Sequence, residues 1–282
     1  MGRNIQRVPV VRWQAGTAAK SRDSLAVEEP LELRIAGEQL AVTMRTPGDD
    51  FDLAAGYLVG EGVIRTAGQL SRMRFCGDAG TENTYNVLDI GLAPGVHPPH
   101  RSLQRNSYTT SACGVCGKSS IEAVHANAHW SVADDPLRVS AEILCRLPDS
   151  LRAGQRLFEQ TGGLHAAGLF TSRGETLCIR EDVGRHNAVD KVVGWALREG
   201  LLPLRGVLLA VSGRASFELV QKATAAGLPL LAAVSAPSSL AVGLARSAGL
   251  TLAGFVRGQK ATVYAGEERV LGEIRVPSTE LH

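Results

Sequence analysis

Apolar and polar positions alternate through residues 31–45 on both sides of Gly37, and this period of two predicts a β-hairpin. The apolar positions that follow take the spacing of a helix instead, with Asp49 or Asp50 placed to cap its first turn. Residues 83–92 again have the composition of a strand. The first third of the chain is therefore predicted to form a small α+β unit.

The pattern changes after residue 136, where short apolar segments alternate with segments at helical spacing. Helical spacing runs through residues 137–162, with a break expected near Pro148. The strands predicted beyond it are residues 164–172, 175–182, 206–213, 228–236, 250–258 and 261–266, and the helices are residues 184–200, 216–227 and 238–249. This alternation predicts an α/β sheet with parallel neighbours, covered by helices.

Together the two patterns predict a chain of α/β class with two domains. An N-terminal α+β domain of residues 1–136 would end in a mobile loop, residues 109–118, and a short helix. Residues 137–282 would form a three-layer α/β domain, whose order of strands and helices resembles that of cytidine deaminases. The polar segment at residues 133–136 marks the predicted boundary.

Composition limits the classes of function that the chain can have. A net charge of +2, 5% aromatic residues and the lack of a long basic run argue against a nucleic-acid partner. The sequence has neither a long uninterrupted apolar segment nor an apolar core at its N-terminus, so we expect no membrane span and no secretory signal. The five cysteines are then expected to be reduced, in the cytoplasm.

The C-x-x-C motif of Cys113 and Cys116 can belong to a zinc site, a redox disulfide or a sulfur-transfer pair. A structural zinc site needs four ligands, and the other cysteines are isolated in the sequence. Cys145 and Cys178 lie in an amphipathic helix and in a strand, where free cysteine is most often a small core residue. We therefore predict no metal site and no zinc.

Two other reactions lack residues that they require. Hydrolytic deamination needs H-x-E followed by P-C-x-x-C, but Ala188 stands two positions after His186 and no cysteine follows the next strand. A thioredoxin-like disulfide requires a βαβ unit before the cysteine pair, and none is predicted there. Gly114 and Gly117 moreover favour a flexible loop over a rigidly placed pair.

Sulfur transfer needs an accessible thiolate that can carry a persulfide, and the residues around the pair favour it. Ser119 and Glu122 fit the S-x-x-E capping box of a helix. Cys116 then lies near the N-terminus of that helix, whose dipole stabilises a thiolate, and Lys118 adds a positive charge. Cys113, within the glycine-containing loop, is the more mobile sulfur.

Polar and cationic residues follow successive strands of the predicted α/β sheet, in residues 181–191, 212–218, 235–239 and 254–260. Ligands of open α/β sheets bind at the carboxyl ends of the strands, so these segments predict an anionic, nucleotide-like ligand. The residues expected to contact it there are His186, Ser212 and Arg214. His165 has two interpretations, a packed core residue or a proton donor beside the transfer site.

Several long motifs, in this order, resemble the FdhD family of formate dehydrogenase accessory sulfurtransferases, also called sulfur carrier proteins. They are "SACGVCGKSSIEAV", "TGGLHAAGLF", "REDVGRHNAVDKVVG", "VSGRASFELVQKA" and "AVSAPSSLAV…GLTLAGFVRG". The segment "FDLAAGYLVGEGVI" resembles the N-terminal part of the same family, so the resemblance covers roughly residues 30–270.

The resemblance implies a function and a set of site residues. Such a protein takes persulfide sulfur from a cysteine desulfurase. It passes the sulfur to the molybdenum cofactor, in its bis-molybdopterin guanine dinucleotide form, before the cofactor enters formate dehydrogenase. Cys113 would bear the persulfide and Cys116 would assist. The residues that would help to hold the cofactor are Phe255, Val256, Arg257, Gly258, Gln259 and Lys260.

The resemblance further implies a deaminase-like domain without zinc and a cytoplasmic homodimer. The alternative function is that of a chaperone, which binds the molybdenum cofactor and delivers it without catalysing sulfur transfer.

Overall fold

The computed structural model describes residues 4–77, 85–98 and 129–273. Cys113, Cys116 and the short helix predicted after them lie outside the described residues. The strands are β1 Ile5–Gln14, β2 Thr17–Ala26, β3 Glu29–Ile35, β4 Glu38–Arg45, β5 Leu70–Phe75, β6 Val87–Leu92, β7 Val139–Ser140, β8 His165–Phe170, β9 Thr176–Asp182, β10 Leu208–Val211, β11 Leu230–Ala233, β12 Thr251–Arg257, β13 Lys260–Ala265 and β14 Val270–Leu271. The helices are α1 Asp50–Gly60, α2 Ala141–Ala153, α3 Arg156–Thr161, α4 Arg185–Arg198, α5 Phe217–Ala225 and α6 Ser239–Ala248.

A four-stranded sheet in the order β4-β3-β6-β5 forms the N-terminal unit. The predicted hairpin around Gly37 is confirmed, because β3 and β4 pair antiparallel on either side of it. Helix α1 begins at the predicted position, but the side chain of Asp49 makes no capping hydrogen bond. The backbone of Asp49 adopts a left-handed conformation with φ 54° and turns the chain into the helix.

A separate two-stranded hairpin, β1–β2, precedes this sheet, and the sequence pattern does not predict it. Its side chains are exposed along most of both strands, and Trp13 near the turn is 73% exposed. Alternation of apolar and polar positions arises where one face of a strand is buried. A ribbon exposed on both faces therefore carries no such signal.

The second half of the chain builds a six-stranded sheet in the order β13-β12-β11-β10-β8-β9. The prediction of an α/β domain is confirmed, because β10, β11 and β12 run parallel and helices connect them. The outer strands differ from the prediction of parallel neighbours, since β8, β9 and β13 each pair antiparallel. The tight turns between β8 and β9 and between β12 and β13 leave no room for a crossover helix.

Helices cover both faces of this sheet, so the domain has three layers. Leu208 of β10 shares a core with Leu144 and Leu147 of α2 on one face. Its neighbour Leu209 belongs to a second core on the other face, together with Val192 of α4. Helices α4, α5 and α6 contact the strands on that side. The likeness to cytidine deaminases stays a prediction.

The break expected near Pro148 is wrong, because α2 continues through this residue. Proline removes one backbone N–H donor, but Leu144, Leu147 and Leu151 are buried on either side of it and hold the helix against the sheet. The helix ends instead at Ala153, five residues later in the chain, and Gly154 is its C-cap.

The N-terminal unit joins the α/β domain through a close crossing of α1 and α4. A Cβ atom at Gly56 would lie 1.8 Å from the carbonyl oxygen of Asp190, and one at Gly194 would lie 1.8 Å from that of Asp52. The backbones of the two helices are thus in direct contact, and one hydrophobic core runs through both parts. The domain boundary at residue 136 stays a prediction.

We expect Gly194→Ala to lower the free energy of unfolding by about 1–3 kcal/mol or more, because the added methyl group overlaps a carbonyl that is part of a helix backbone. Gly56→Ala should have the same effect. Urea denaturation of each variant against the parent protein measures the change.

Gly243→Ala in α6 is the matched control. No heavy atom lies within 4 Å of a Cβ at this helical glycine. The control should leave stability unchanged or raise it by about 0.5–1 kcal/mol, since alanine is the better helix former. Equal stabilities of Gly194→Ala and Gly243→Ala would contradict the close crossing.

Candidate functional site

The segments that follow β10, β11 and β12 lie side by side at one edge of the large sheet. The N–H of Ser235 donates to the carbonyl of Gly213 at 3.4 Å, and the N–H of Ala215 donates to that of Ala236 at 3.2 Å. The N–H of Phe255 donates to the carbonyl of Ser235 at 3.2 Å. The expectation that these polar segments share an edge is therefore confirmed, and backbone hydrogen bonds hold them together.

Ser212, at the end of β10, orients His165 at the start of the antiparallel strand β8. Its Oγ accepts a hydrogen bond from the N–H of Ala166 at 2.9 Å and lies 3.4 Å from Nδ1 of His165. The hydroxyl can donate to Nδ1 or accept from it, according to which ring nitrogen of the neutral imidazole carries the proton. The pKa of His165 is lowered by burial and by Arg185, although Asp182 opposes this.

His186, in the first turn of α4, reaches the start of α5. Its Nε2 lies 3.0 Å from a carboxylate oxygen of Glu218 and 3.3 Å from Oγ of Ser216. Burial, together with Arg185, lowers the pKa of His186 to about 4, despite the opposing charge of Glu218. At neutral pH the ring is uncharged, and it can donate its Nε2 proton to the carboxylate. The side chain of Ser216, the N-cap residue of α5, makes no capping hydrogen bond with that helix.

Arg185 is a site residue that the sequence interpretation did not select. It is the first residue of α4, and its Nε atom is buried without a hydrogen-bond partner among the described residues. A Cβ at Gly213 would lie 3.6 Å from Cδ of Arg185 and 3.5 Å from Nδ1 of His165, so the three residues converge. The sequence signal was the dense polar segment 181–191, in which periodicity alone does not rank Arg185 above its neighbours.

Phe255 and Val256 point to different environments. Phe255 is 42% exposed and has a left-handed φ of 52°, at an irregularity in the pairing of β12 with β13. Such a backbone conformation is unusual for an aromatic residue and is often found at functional sites. Val256 is fully buried in the core beneath α2, so only its backbone can face a ligand.

The remaining predicted residues form exposed surface at the same edge. Arg257 pairs with Lys260 across the tight turn of Gly258 and Gln259, and all four residues are exposed. Arg214, in the turn after β10, is exposed as well. The three cations would face an anion bound along this edge from the solvent side.

A family model described as the FdhD/NarQ family matches residues 26–271 of the chain. The chain belongs to this family. Its relatives include proteins named sulfur carrier protein FdhD from Streptomyces avermitilis, 58% identical over 96% of this chain and 97% of the relative, and from Mycobacterium tuberculosis, 53% identical over 88% and 92%.

A solved structure supports the fold of this FdhD/NarQ protein. It belongs to a protein from Desulfotalea psychrophila described as a formate dehydrogenase accessory protein. The two chains superpose with a TM-score of 0.74 over 95% of this chain and all of the other, at 23% sequence identity. The hairpin β1–β2 lies almost entirely before residue 26, where the match to the family model begins.

The described cysteines of the FdhD/NarQ chain do not form a reactive pair. Cys145 and Cys178 are buried, as predicted for core residues, and burial raises the pKa of the Cys178 thiol to about 12. Cys76 is partly exposed. In the described parts of the chain no three His, Cys, Asp or Glu side chains are grouped so that they could hold a metal ion. No helix in those parts is both long and apolar enough to cross a membrane.

We expect stability to fall as the pH falls from 6.5 toward about 4, because the folded protein keeps His186 neutral while the unfolded chain protonates it. The contribution is at most about 1.4 kcal/mol of unfolding free energy per pH unit. His186→Gln should show a shallower pH dependence in urea denaturation across this range.

Burial raises the pKa of Asp190 to about 6, so Asp190 adds stability as the pH falls, which is opposite to the effect of His186. Asp190 is present in both His186→Gln and the parent protein, so its contribution cancels when their pH curves are compared. His97→Gln, which replaces an exposed histidine, is the control and should follow the parent curve. Identical pH dependence of His186→Gln and the parent protein would contradict a buried neutral imidazole.

Proposed function

We propose that this protein is a sulfurtransferase. It takes persulfide sulfur from a cysteine desulfurase and passes it to the molybdenum cofactor, bis-molybdopterin guanine dinucleotide, before the cofactor enters formate dehydrogenase. The names of the relatives, sulfur carrier protein FdhD, support the sulfur-carrier role, at 58% identity over nearly the whole chain. The description of the structural neighbour supports the link to formate dehydrogenase.

The geometric observation that carries the proposal is the single edge where three strand ends meet. Backbone hydrogen bonds join the segments around Gly213, Ser235 and Phe255. Helices α4 and α5 begin beside it without side-chain caps, and in the first turn of α5 the N–H of Leu219 donates to the carbonyl of Ser216 at 3.1 Å. Hydrogen-bond donors and exposed arginines suit an acceptor that carries phosphate groups.

Sulfur transfer at the C-x-x-C motif is a displacement at sulfur. The thiolate of Cys113 attacks the terminal sulfur of the donor's persulfide, a new S–S bond forms, and the donor cysteine leaves as a thiolate. No net oxidation occurs in this step. Cys116 assists release: its thiolate attacks the Cys113 sulfur, sulfide leaves toward the acceptor, and the two cysteines become a disulfide that a cellular dithiol reduces.

The described residues would hold and orient the acceptor, which is a substrate in this scheme. Arg214, Arg257 and Lys260 would meet its phosphate charges from the solvent side. Phe255 offers an exposed aromatic face on which a base can stack. Ser212 and His186 line the inner side of the same edge. A cytoplasmic homodimer is part of the proposal, because the family resemblance predicts it.

The first experiment incubates the protein with a cysteine desulfurase and cysteine and measures intact and peptide masses. The peptide of residues 109–120 should gain about 32 Da, the mass of one sulfur atom, and Cys113→Ala should lose this gain. Cys76→Ser removes a partly exposed cysteine outside the pair and should gain sulfur as the parent protein does.

Absence of sulfur on either cysteine of the pair, with a donor that is active on another acceptor, would favour the chaperone instead. A chaperone carrying Cys113→Ala would still deliver the cofactor and activate formate dehydrogenase. A sulfurtransferase with the same change would bind the cofactor and fail to activate the enzyme.

A further inference from the structure

The hairpin β1–β2 concentrates positive charge and exposed apolar side chains in one part of the molecule. Residues 5–26 carry four cations and one carboxylate, a net charge of +3, whereas the whole chain has a net charge of +2. Every residue from Val11 to Lys20 is exposed. Of the nine large apolar side chains that are exposed among the described residues, Val11, Trp13 and Leu25 lie on this hairpin.

Strand pairing divides the charged side chains of the hairpin between two faces. Directly paired residues share a face and successive residues alternate between faces. The cationic face, as we call it, contains Arg7, Val11, Trp13, Lys20 and Arg22. The carboxylate of Asp23 lies on the opposite face and pairs there with Arg12 at 3.0 Å. The cationic face therefore has no negative charge of its own.

A cleft of about 860 Å³ lies between the base of this face and helix α3. Arg7 and Arg22 line it from the hairpin, and Gln160 lines it from α3. The carboxylate in its lining, that of Glu29, is already paired with Arg45 at 3.4 Å. Arg7 and Arg22 form no ion pair with any described residue, although diagonal neighbours of this kind are only about 7–8 Å apart. An anionic ligand in the cleft would relieve their mutual repulsion.

The outer half of the hairpin gains little support from the rest of the described structure. Strand β2 contacts α3, and at the base a Cβ at Gly163 would lie 3.9 Å from that of Ala26. Residues 11–20 beyond this base are exposed on both faces. An isolated two-stranded hairpin is marginally stable in water, and a third strand on it adds the missing burial. A partner chain along this half would cover Val11 and Trp13.

Charge favours an acidic partner over a second copy of the hairpin. A symmetric contact between two copies would bring the cationic face against itself, and like charges directly opposite each other are destabilising. An extended acidic chain is complementary instead. Its alternate side chains are about 6.6–6.8 Å apart, which is also the spacing of Lys20 and Arg22 on β2.

The other polyanions fit the hairpin less well than an acidic protein segment does. Successive bases of a nucleic acid stack on several aromatic side chains, and Trp13 is the one aromatic residue of the hairpin. A lipid surface requires a broad apolar face, whereas the turn at residues 14–17 is built of small and polar residues. Arginine and tryptophan are the side chains that contribute most often to binding between proteins.

We propose that the cationic face and the cleft at its base bind an extended, acidic segment of a partner protein. Carboxylates of this segment pair with Arg7, Lys20 and Arg22, and one of its apolar side chains packs on Trp13. Exposed ion pairs around one aromatic anchor give a transient interaction that salt weakens. The inference does not rest on the proposed function, because it follows from the charge and exposure of the hairpin.

The test measures binding of two labelled peptides to the full-length protein by fluorescence anisotropy. Both are as long as strand β2 and carry one central leucine; one has glutamate at every second position with serine between, and the other has glutamine in place of glutamate. The glutamate peptide should bind, and the glutamine peptide should bind about 10-fold more weakly or less, since its contacts lack charge. Raising the salt concentration should weaken binding of the glutamate peptide.

Two charge-matched double variants test the contribution of the cleft. Arg7→Gln with Arg22→Gln should weaken binding of the glutamate peptide about 5- to 30-fold, because two ion pairs are lost. Arg146→Gln with Arg173→Gln removes two exposed arginines outside the hairpin and should bind as the parent does. Trp13→Ala should weaken binding about 10-fold. Circular dichroism and thermal unfolding verify that each variant is folded.

Several outcomes would overturn the proposal. Equal affinities of the two double variants, or equal binding of the two peptides, would remove the role of charge. Tighter binding of single-stranded DNA or of phosphatidylglycerol vesicles than of the glutamate peptide would assign the face to another class of partner. A change of oligomeric state in Arg7→Gln with Arg22→Gln, seen by analytical ultracentrifugation without peptide binding to the parent, would assign it to a second copy.

The persulfide assay separates this inference from the proposed function. Sulfur on the cysteine pair without binding of the glutamate peptide would refute the docking surface alone. Peptide binding that depends on Arg7 and Arg22, without sulfur on the cysteine pair, would sustain the docking surface and refute the sulfurtransferase.

Discussion

The direct backbone contact between α1 and α4 determines where the candidate site can be. Gly56 and Gly194 allow the two helices to approach until a methyl group at either position would overlap a carbonyl. Asp52 on α1, which is buried, pairs with Arg180 on β9 at 3.0 Å and with Arg198 at the end of α4. Because the middle and the end of α4 are held in this way, its first turn is fixed at the edge of the sheet.

The polar groups near that turn divide into two kinds. Lys191 and Asp182 are almost completely buried, but each is paired and bonded to several partners, as a buried charge requires. They fasten α4 to β9 and to the loop before α1. The Nε atom of Arg185, six residues before Lys191, has no hydrogen-bond partner in the described part of the chain. Arg185 is only partly buried, and it does not fasten α4 as these ion pairs do.

The sequence predicted the regular elements that bury at least one face and could not predict the others. Period-two alternation identified β3 and β4, because one face of each strand is buried. Continuous apolar runs between helical segments identified β10 to β12, because both faces of these strands are buried. The hairpin β1–β2 is exposed on both faces, so no alternation of apolar and polar positions predicted it. The helix break predicted near Pro148 was wrong, because the tertiary packing of α2 outweighs the loss of one backbone hydrogen bond. Arg185 was missed because its approach to Gly213 and His165 depends on the tertiary fold, which periodicity does not show.

The state of the described cysteines supports the assignment of sulfur chemistry to the C-x-x-C motif. A sulfur-carrying cysteine must ionise to a thiolate, and it must be accessible first to the sulfur donor and then to the acceptor. Cys145 and Cys178 fail on both counts, since burial shields them and raises the pKa of each thiol. Cys76 is partly exposed but has no second cysteine three positions away in the sequence to assist release. Cys113 and Cys116 are predicted from the sequence to meet this requirement, and they lie outside the described residues. The edge near Arg214 and His186 has cationic and neutral donors, which suit a phosphorylated acceptor rather than a thiolate donor.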